Sequence, residues 1–290
     1  MGIPLNSHCV DCLFRKHLQN ARELGDDETA FSFAKDLMQL FLDAAPTDNS
    51  AILSVRINQL YMQHYHLPQD RFQQEKKDSN RFVLERLEGI RRYVQQSPEP
   101  LLTALQYAIM GNYIDFSALH RSVSFDALEA MLKKPEDFAF DEKSYHRFRE
   151  DLKQAKKLLI LTDNAGELGF DWVLAETLSA LYPDLTITFC VRGKPAHNDA
   201  TREDYAEMGI PYPVIDSGSD IGGTVISCLG EEARQEFEQA DIIIAKGMGN
   251  TETLYGCGFN VYYAFLVKCK RFEQVFGKPH MAPMFVSERK

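Results

Sequence analysis

The sequence predicts an α/β fold with a mainly parallel sheet, preceded by an all-helical N-terminal part. Between about residues 26 and 151, apolar residues recur three and four positions apart, which is the spacing of helix faces. After residue 157, short apolar runs alternate with helical segments, as in βαβ units. A polar, charged stretch at 140–156 separates the two patterns. We therefore expect a helical domain at 1–150 and an α/β domain at 151–290.

Three amphipathic patterns predict helices in the first half. The first covers 31–42, the second 80–94 and the third 101–109. Pro98 and Pro100 precede the third as helix breakers, and Gly111 follows it at the position of a terminating C′ glycine.

Short apolar runs predict the strands of the second half. A helix is expected at 170–181, where apolar residues again recur at helical spacing. The predicted strands are 158–162, 187–191, 212–215, 242–245, 262–267 and 284–286.

Composition excludes several classes of protein. The 290 residues carry 32 basic and 42 acidic side chains, and the net charge of −10 argues against general nucleic-acid binding. No apolar run reaches the roughly 18 residues of a membrane span, and the first residues show no signal-peptide pattern. Six cysteines in such a chain predict reduced thiols and a cytoplasmic location.

Polar residues follow four successive predicted strands. Ligands of an open parallel sheet bind beyond the carboxyl ends of its strands, so these segments are expected to form one site. They are the segments 163–167, 192–201, 216–224 and 246–252.

The first two segments offer ligands for a hard cation. Asp163, Asn164 and Asp199 supply oxygens without a competing thiolate or imidazole, which favours Mg²⁺, Mn²⁺ or a similar ion. An Asp at a strand end is also a common helix N-cap, and Asp163 alone is equally open to that interpretation.

The same edge carries groups suited to a phosphate. Gly166 allows close backbone approach at a helix start, and Lys246, followed by Gly247 and Gly249, could place a charge on the anion. The segment from Asp216 to Thr224, which includes Gly218, could fold its backbone round a ligand. Each feature has a structural alternative, namely a turn or a solvated lysine. Together they are typical of phosphoryl transfer or hydrolysis.

Cys9 and Cys12 form a C-x-x-C near the N-terminus. No second C-x-x-C completes a zinc site, and the pair does not follow a strand as a thioredoxin-like motif does. Two thiols on one helical turn are therefore favoured over a dedicated site. The other four cysteines are expected to be small buried hydrophobic residues.

With these motifs in place, the chain resembles the metal-dependent damage-control phosphatases, formerly domain of unknown function eighty-nine. The resemblance is to the archaeal and bacterial branch with an N-terminal cysteine pair, and it runs from residue 9 to about 270. The matching residues are Cys9, Cys12, Gly111, Asn112, Ile114, Asp115, Asp163 to Glu167, Asn198 to Thr201, Asp204, Lys246, Gly247, Gly249, Asn250 and Glu252.

This resemblance implies a helical part packed on a Rossmann-like three-layer domain. It implies that Asp163, Asn164 and Asp199 hold Mn²⁺, Co²⁺, Ni²⁺ or Mg²⁺. It also implies hydrolysis of a small phosphorylated metabolite, either a sugar phosphate or a damaged or surplus compound. Catalysis is assigned to Asp163, Asp199 and Lys246. The residues assigned to the substrate are Glu167, Asn198, Gly166, Asn112, Asp115, Asp216 and Asn250.

Two other functions remain open at this point. The segment 216–224 could hold S-adenosylmethionine in a methyltransferase, although no glycine-rich fingerprint follows the first strand. A non-catalytic sensor of a phosphorylated ligand is the second alternative. The attacking group of the phosphatase is either a water or an Asp carboxylate.

Overall fold

The computed structural model describes residues 2–115 and 124–289. Within these residues, eight α-helices precede the first strand, and five more alternate with the strands or follow them. The helices of the first part are α1 (Ser7–Leu24), α2 (Asp27–Leu42), α3 (Ser50–Tyr65), α4 (Gln73–Leu84), α5 (Leu87–Gln96), α6 (Pro100–Gly111), α7 (Phe125–Met131) and α8 (Glu142–Leu152). The later helices are α9 (Leu168–Leu181), α10 (Arg202–Met208), α11 (Glu231–Gln239), α12 (Gly247–Leu254) and α13 (Lys270–Phe276).

Six strands form one sheet with the order β3-β2-β1-β4-β5-β6. They are β1 (Lys157–Leu161), β2 (Thr186–Val191), β3 (Val214–Asp216), β4 (Ile242–Lys246), β5 (Val261–Leu266) and β6 (Pro283–Ser287). The first five run parallel, and β6 pairs antiparallel with β5. The predicted α/β fold with a mainly parallel sheet is confirmed.

Side chains that alternate along the strands pack into two hydrophobic cores, one on each face of the sheet. Leu158 and Ile160 pack with helices α4 to α6 and α9, whereas Leu159 and Leu161 pack with α11, α12 and α13. Strands buried on both faces explain the continuous apolar runs in the sequence. The sheet is thus the middle of three layers.

The hydrophobic cores do not divide at residue 150. Helices α1 to α3 close a small core of their own, but helices α4 to α8 share the largest core with one face of the sheet. The division into domains at 1–150 and 151–290 stays a prediction.

The N-terminal residues fasten α1 to the α/β part. The amide of Gly2 donates to the carbonyl of Tyr255 at 2.6 Å, and that of Ile3 donates to the carbonyl of Glu252 at 2.7 Å. Ile3 is buried in the core on the α12 side of the sheet. Helix α1 therefore begins beside the carboxyl ends of the strands.

The predicted helix at 80–94 is wrong as a single element, because α4 and α5 meet at Arg86. The Arg86 amide donates to the carbonyl of Val83 rather than to that of Phe82. The Phe82 carbonyl instead accepts a hydrogen bond from the Arg86 guanidinium at 2.9 Å. Helix α4 therefore ends with a bond three residues back, and the Arg86 side chain satisfies the Phe82 carbonyl that this geometry leaves without a backbone donor.

The sequence places Gly111 just after its helix, but this prediction is wrong, because Gly111 is the last residue of α6. A Cβ there would lie 2.6 Å from Cδ2 of Phe170, so the glycine is needed for the close packing of α6 on α9.

The prediction of four buried cysteines is correct only in part. Cys190 is buried, Cys228 is exposed, and Cys257 and Cys269 are intermediate. In the described part of the chain, no helix is long and apolar enough to cross a membrane.

Candidate active site

The segments after β1 and β2 are joined by backbone hydrogen bonds. The amide of Ala200 donates to the carbonyl of Asp163 at 2.7 Å, and that of Ala165 donates to the carbonyl of Asn198 at 2.9 Å. Asn164 and Asp199 thereby form an isolated antiparallel bridge. Two motifs that are 34 residues apart in the chain are held side by side.

A cavity of about 590 Å³ opens over this bridge. Asp115, Asp163, Asn164 and Asp199 line it, so the structure brings the predicted metal ligands and one predicted substrate residue to one place. The start of α12 and the start of α13 form further walls, and one face of α1 faces the cavity as well. Its volume is in the range of small-molecule sites.

The three predicted metal ligands keep oxygen lone pairs for a cation. Asp163 Oδ2 accepts from the side-chain amides of Asn112 and Asn164, both at 2.9 Å, and Asp199 Oδ2 accepts from Arg192 Nε at 2.6 Å. Within the described residues, the Oδ1 atoms of both carboxylates accept no hydrogen bond. Asn164 Oδ1 accepts one, from Asn198 at 2.9 Å, and an amide oxygen has two lone pairs.

These donors fit a hard divalent cation. Two carboxylates and an amide oxygen are the ligand types that Mg²⁺ and Mn²⁺ prefer. No three His, Cys, Asp or Glu side chains in ranges 2–115 and 124–289 are arranged to hold a metal ion. The predicted set does not require such a group, because its third ligand is an amide.

Electrostatics at the site also favour a bound cation. Burial, and then repulsion from Asp199 and Glu167, raises the pKa of Asp163 well above its ordinary value. Burial raises the pKa of Asp199 to about 6, although Arg192 opposes the shift. A cation between the two carboxylates would relieve both the burial cost and the repulsion.

Gly247 is required by the position of Asp163. Its φ of +76° lies in the left-handed region, and a Cβ on it would lie 2.0 Å from Asp163 Oδ2. A glycine directly after β4 thus lets the start of α12 approach the carboxylate.

Lys246 does not line the cavity, so it is not placed to contact a phosphate there, as the sequence analysis expected. Its side chain is fully buried, and Nζ donates to Glu167 Oε1 at 2.5 Å, Asp171 Oδ1 at 2.6 Å and the carbonyl of Ala108 at 2.9 Å. An ammonium group has three donors, so all are taken. Burial lowers the pKa of Lys246, but attraction to Asp171 and Glu167 outweighs it and raises the pKa above its ordinary value.

Three other predicted residues lie directly behind the predicted metal ligands. Asn112 donates to both Asp163 and Glu167, the latter at 3.2 Å. Glu167 Oε2 also accepts from Asn164 at 3.0 Å. Asn198 donates to Asn164 Oδ1 and to the Ile114 carbonyl, while its own buried Oδ1 has no hydrogen-bond partner. Their contacts orient the side chains of Asp163 and Asn164.

The remaining predicted residues have structural contacts. Asn250 donates to the carbonyls of Leu161, Thr162 and Lys246, which fixes α12 to the end of β1. Gly166 faces α4. A Cβ added to Gly166 would lie 2.7 Å from Cβ of Ser79, so the close packing against α4 explains why this residue is glycine.

Asp216 is not brought to the cavity. Its carboxylate accepts from Arg202 Nε at 2.5 Å and from the Gly218 amide at 3.1 Å. The Gly218 amide is therefore occupied. The segment 216–224 packs on α12 and contributes Gly222 to the lining of the cavity. A Cβ on Gly249 would lie 1.8 Å from the Gly222 carbonyl oxygen.

The sequence interpretation assigned no role to three charged residues at the site, although one of them, Arg192, lies in the predicted segment 192–201. Arg192 is buried and holds Asp199, and Lys268 lines the cavity and donates to Asp115 Oδ2 at 2.7 Å. Both follow strands, so strand ends would have indicated them. Asp171, four residues after Glu167 on α9, contacts Lys246. The i, i+4 spacing places it on the same helix face.

The parallel sheet and the cavity at the ends of its strands define a Rossmann-like protein, and comparison with known proteins gives the family. A model of the damage-control phosphatase ARMT1-like domain matches residues 5–282. The chain belongs to this family and is a phosphatase. Membership favours this function over the methyltransferase and the sensor.

Three similar proteins cover most of the chain. An uncharacterised protein of Methanocaldococcus jannaschii is 31% identical over 287 residues, which is 95% of this chain and 93% of the relative. A damage-control phosphatase of Archaeoglobus fulgidus is 29% identical over 85% of each chain. The crystal structure of a DUF89 family protein of Pyrococcus horikoshii superposes with a TM-score of 0.81 at 24% identity, over 99% of this chain and 100% of that one. The last likeness supports the fold.

Proposed function

We propose that this phosphatase hydrolyses a small phosphorylated metabolite with a divalent cation held by Asp163, Asn164 and Asp199. The observation that carries the proposal is the convergence of three oxygens with open lone pairs on one cavity of about 590 Å³. Mn²⁺, Co²⁺, Ni²⁺ or Mg²⁺ bound there would polarise the phosphate oxygens.

Lys268 and the first turn of α12 are the groups that we assign to binding the phosphate. Lys268 lines the cavity with its ammonium group beside Asp115, and it is the lysine we assign to the anion. Met248 and Gly249 line the cavity in the first turn of α12, where backbone amides and the helix dipole favour a negative charge. The substrate therefore meets positive groups despite the net charge of −10.

We assign Lys246, Glu167, Asn112 and Asn198 to positioning. The ammonium of Lys246 fixes Glu167, and Glu167 and Asn112 each hydrogen bond with the residues that carry the open oxygens. Because the network is buried and charged, it keeps these side chains in one arrangement before substrate arrives. Asp199 and Asp163 remain the residues assigned to catalysis.

We also propose a cytoplasmic location. All six cysteines are free thiols, as expected in a reducing compartment. A small phosphorylated metabolite is the partner that the volume of the cavity supports.

The proposal is tested by hydrolysis of p-nitrophenyl phosphate after treatment of the enzyme with EDTA. Activity is expected to return on addition of Mn²⁺, Co²⁺, Ni²⁺ or Mg²⁺ and to be absent from Asp199→Asn. Asp216→Asn is the matched control, because Asp216 lies at the end of a strand and pairs with an arginine, as Asp199 does, but does not line the cavity. Equal rates for wild type and Asp199→Asn would refute the assignment of the site.

A further inference from the structure

One face of α1 forms a wall of the substrate cavity. Cys9, Cys12, Leu13 and Lys16 all line it, and their spacing of three, one and three residues places them on one side of a helix. The cysteine pair is therefore not a feature of a remote helix. It lies in the same cavity as Asp163 and Asp199.

The two thiols are placed for reaction with each other. Residues i and i+3 of a helix have Cβ atoms about 5–6 Å apart, and a disulfide needs about 3.5–4.5 Å. Closing that gap requires a shift of about 1–2 Å, confined to the first turns of α1. Asn6 caps this end by accepting from the Cys9 amide at 3.1 Å.

Exposure differs between the two cysteines. Cys12 is exposed, whereas Cys9 is intermediate, and its thiol pKa is raised by burial although Arg271 acts against the shift. Cys12 is thus the sulfur that an external reagent meets first. A third thiol, Cys269, lies at the start of α13 on the same cavity, close enough to Cys9 for their charges to interact.

Two other roles for the pair find less support. The exposure of Cys12 argues against a pair that only fills a core. A thiolate metal site would need further ligands, and within the described ranges no group of three His, Cys, Asp or Glu side chains is arranged to hold an ion.

We propose that Cys9 and Cys12 are a thiol–disulfide exchange site in the wall of the substrate cavity, with a small-molecule disulfide as its co-reactant. The Cys12 thiolate attacks one sulfur of the reagent, which forms a mixed disulfide and releases one thiolate. The Cys9 thiolate then attacks the Cys12 sulfur and releases the second. The cysteines lose two electrons and two protons, and the reagent gains both and leaves as two thiols.

This reaction changes the wall that the substrate contacts. The disulfide draws in the turn that carries Cys9, Cys12 and Leu13, while the oxygens of Asp163 and Asp199 are held by other elements. Oxidation is therefore expected to raise KM several-fold and to leave Mn²⁺ binding unchanged. This effect on turnover rests on the proposed function, whereas the exchange reaction does not.

The test is incubation of the native enzyme with oxidised glutathione, followed by thiol titration and peptide mapping. A loss of two titratable thiols, a Cys9–Cys12 linkage and recovery with dithiothreitol are expected. Cys12→Ser should form no linkage, and Cys9→Ser should stop at a glutathione adduct on Cys12. Cys228→Ser, which removes an exposed cysteine elsewhere, should react like wild type.

A linkage from either residue to Cys269, or the absence of a linkage, would overturn the proposal. An oxidised protein with unchanged KM would overturn the effect on the cavity. Titration of thiols and mapping of the linkage do not require phosphatase activity. Failure of the phosphatase assay can therefore be distinguished from failure of the exchange reaction.

Discussion

Gly247 is the position at which the site is most sensitive to one methyl group. In Gly247→Ala, the left-handed φ of +76° costs about 1–2 kcal/mol for a residue with a Cβ. That Cβ would also lie 2.0 Å from Asp163 Oδ2, so the carboxylate or α12 must move. Displacing the carboxylate removes its hydrogen bonds from Asn112 and Asn164, each worth about 1.5–3 kcal/mol for a charged partner.

We therefore expect Gly247→Ala to lose about 3 kcal/mol or more of unfolding free energy in urea and most of its metal-dependent activity. Gly209→Ala is the matched control, since Gly209 has a φ of +67° with nothing within 4 Å of its added Cβ. It should lose only the backbone cost and keep its activity. Wild-type metal affinity and rate in Gly247→Ala would refute the argument.

Three further predictions follow from the charges at the site. Lys246→Met leaves Glu167 and Asp171 buried without their cation, so urea unfolding should show a loss of about 3–5 kcal/mol, and normal stability would contradict the buried arrangement. Lys268→Ala should raise KM for p-nitrophenyl phosphate and, because Lys268 is buried and pairs with Asp115, should also lower stability; an unchanged KM would remove Lys268 from the phosphate site. Burial raises the pKa of Asp199 from 3.8 to about 6, so the folded metal-free protein retains a proton that the unfolded chain releases. The stabilising contribution of this group is present below pH 3.8 and is lost as pH rises through about 6. Urea unfolding in EDTA should show this dependence, and Asp199→Asn should reduce it, leaving the contribution of Asp163, whose pKa is raised in the same direction.

Much of the fold follows from patterns that report burial. Strands buried on both faces read as continuous apolar runs, and all six appear in the structure within a few residues of the predicted positions. Helix boundaries depend on individual side chains and are harder to predict. At the division between α4 and α5, the Arg86 guanidinium satisfies a backbone carbonyl, which no periodicity reveals.

The site follows from the sequence only as far as strand ends define it. The topology of a parallel sheet brings Asp163 and Asp199 to one edge, but it does not say which way a side chain points. Lys246 is the last residue of β4 and still turns away from the cavity, because Glu167 at the N-cap of α9 and Asp171 on α9 compensate its charge in the interior. The cavity wall formed by α1 depends on long-range packing, which local patterns do not encode.

The central claim is that Asp163, Asn164 and Asp199 bind a divalent cation at this cavity. Titration of the EDTA-treated protein with Mn²⁺, followed by electron paramagnetic resonance of the free ion, tests it without any substrate. We predict a single bound ion in wild type and in Asp216→Asn, and greatly weakened binding in Asp163→Asn and Asp199→Asn. Undiminished Mn²⁺ binding in the last two variants would contradict the claim.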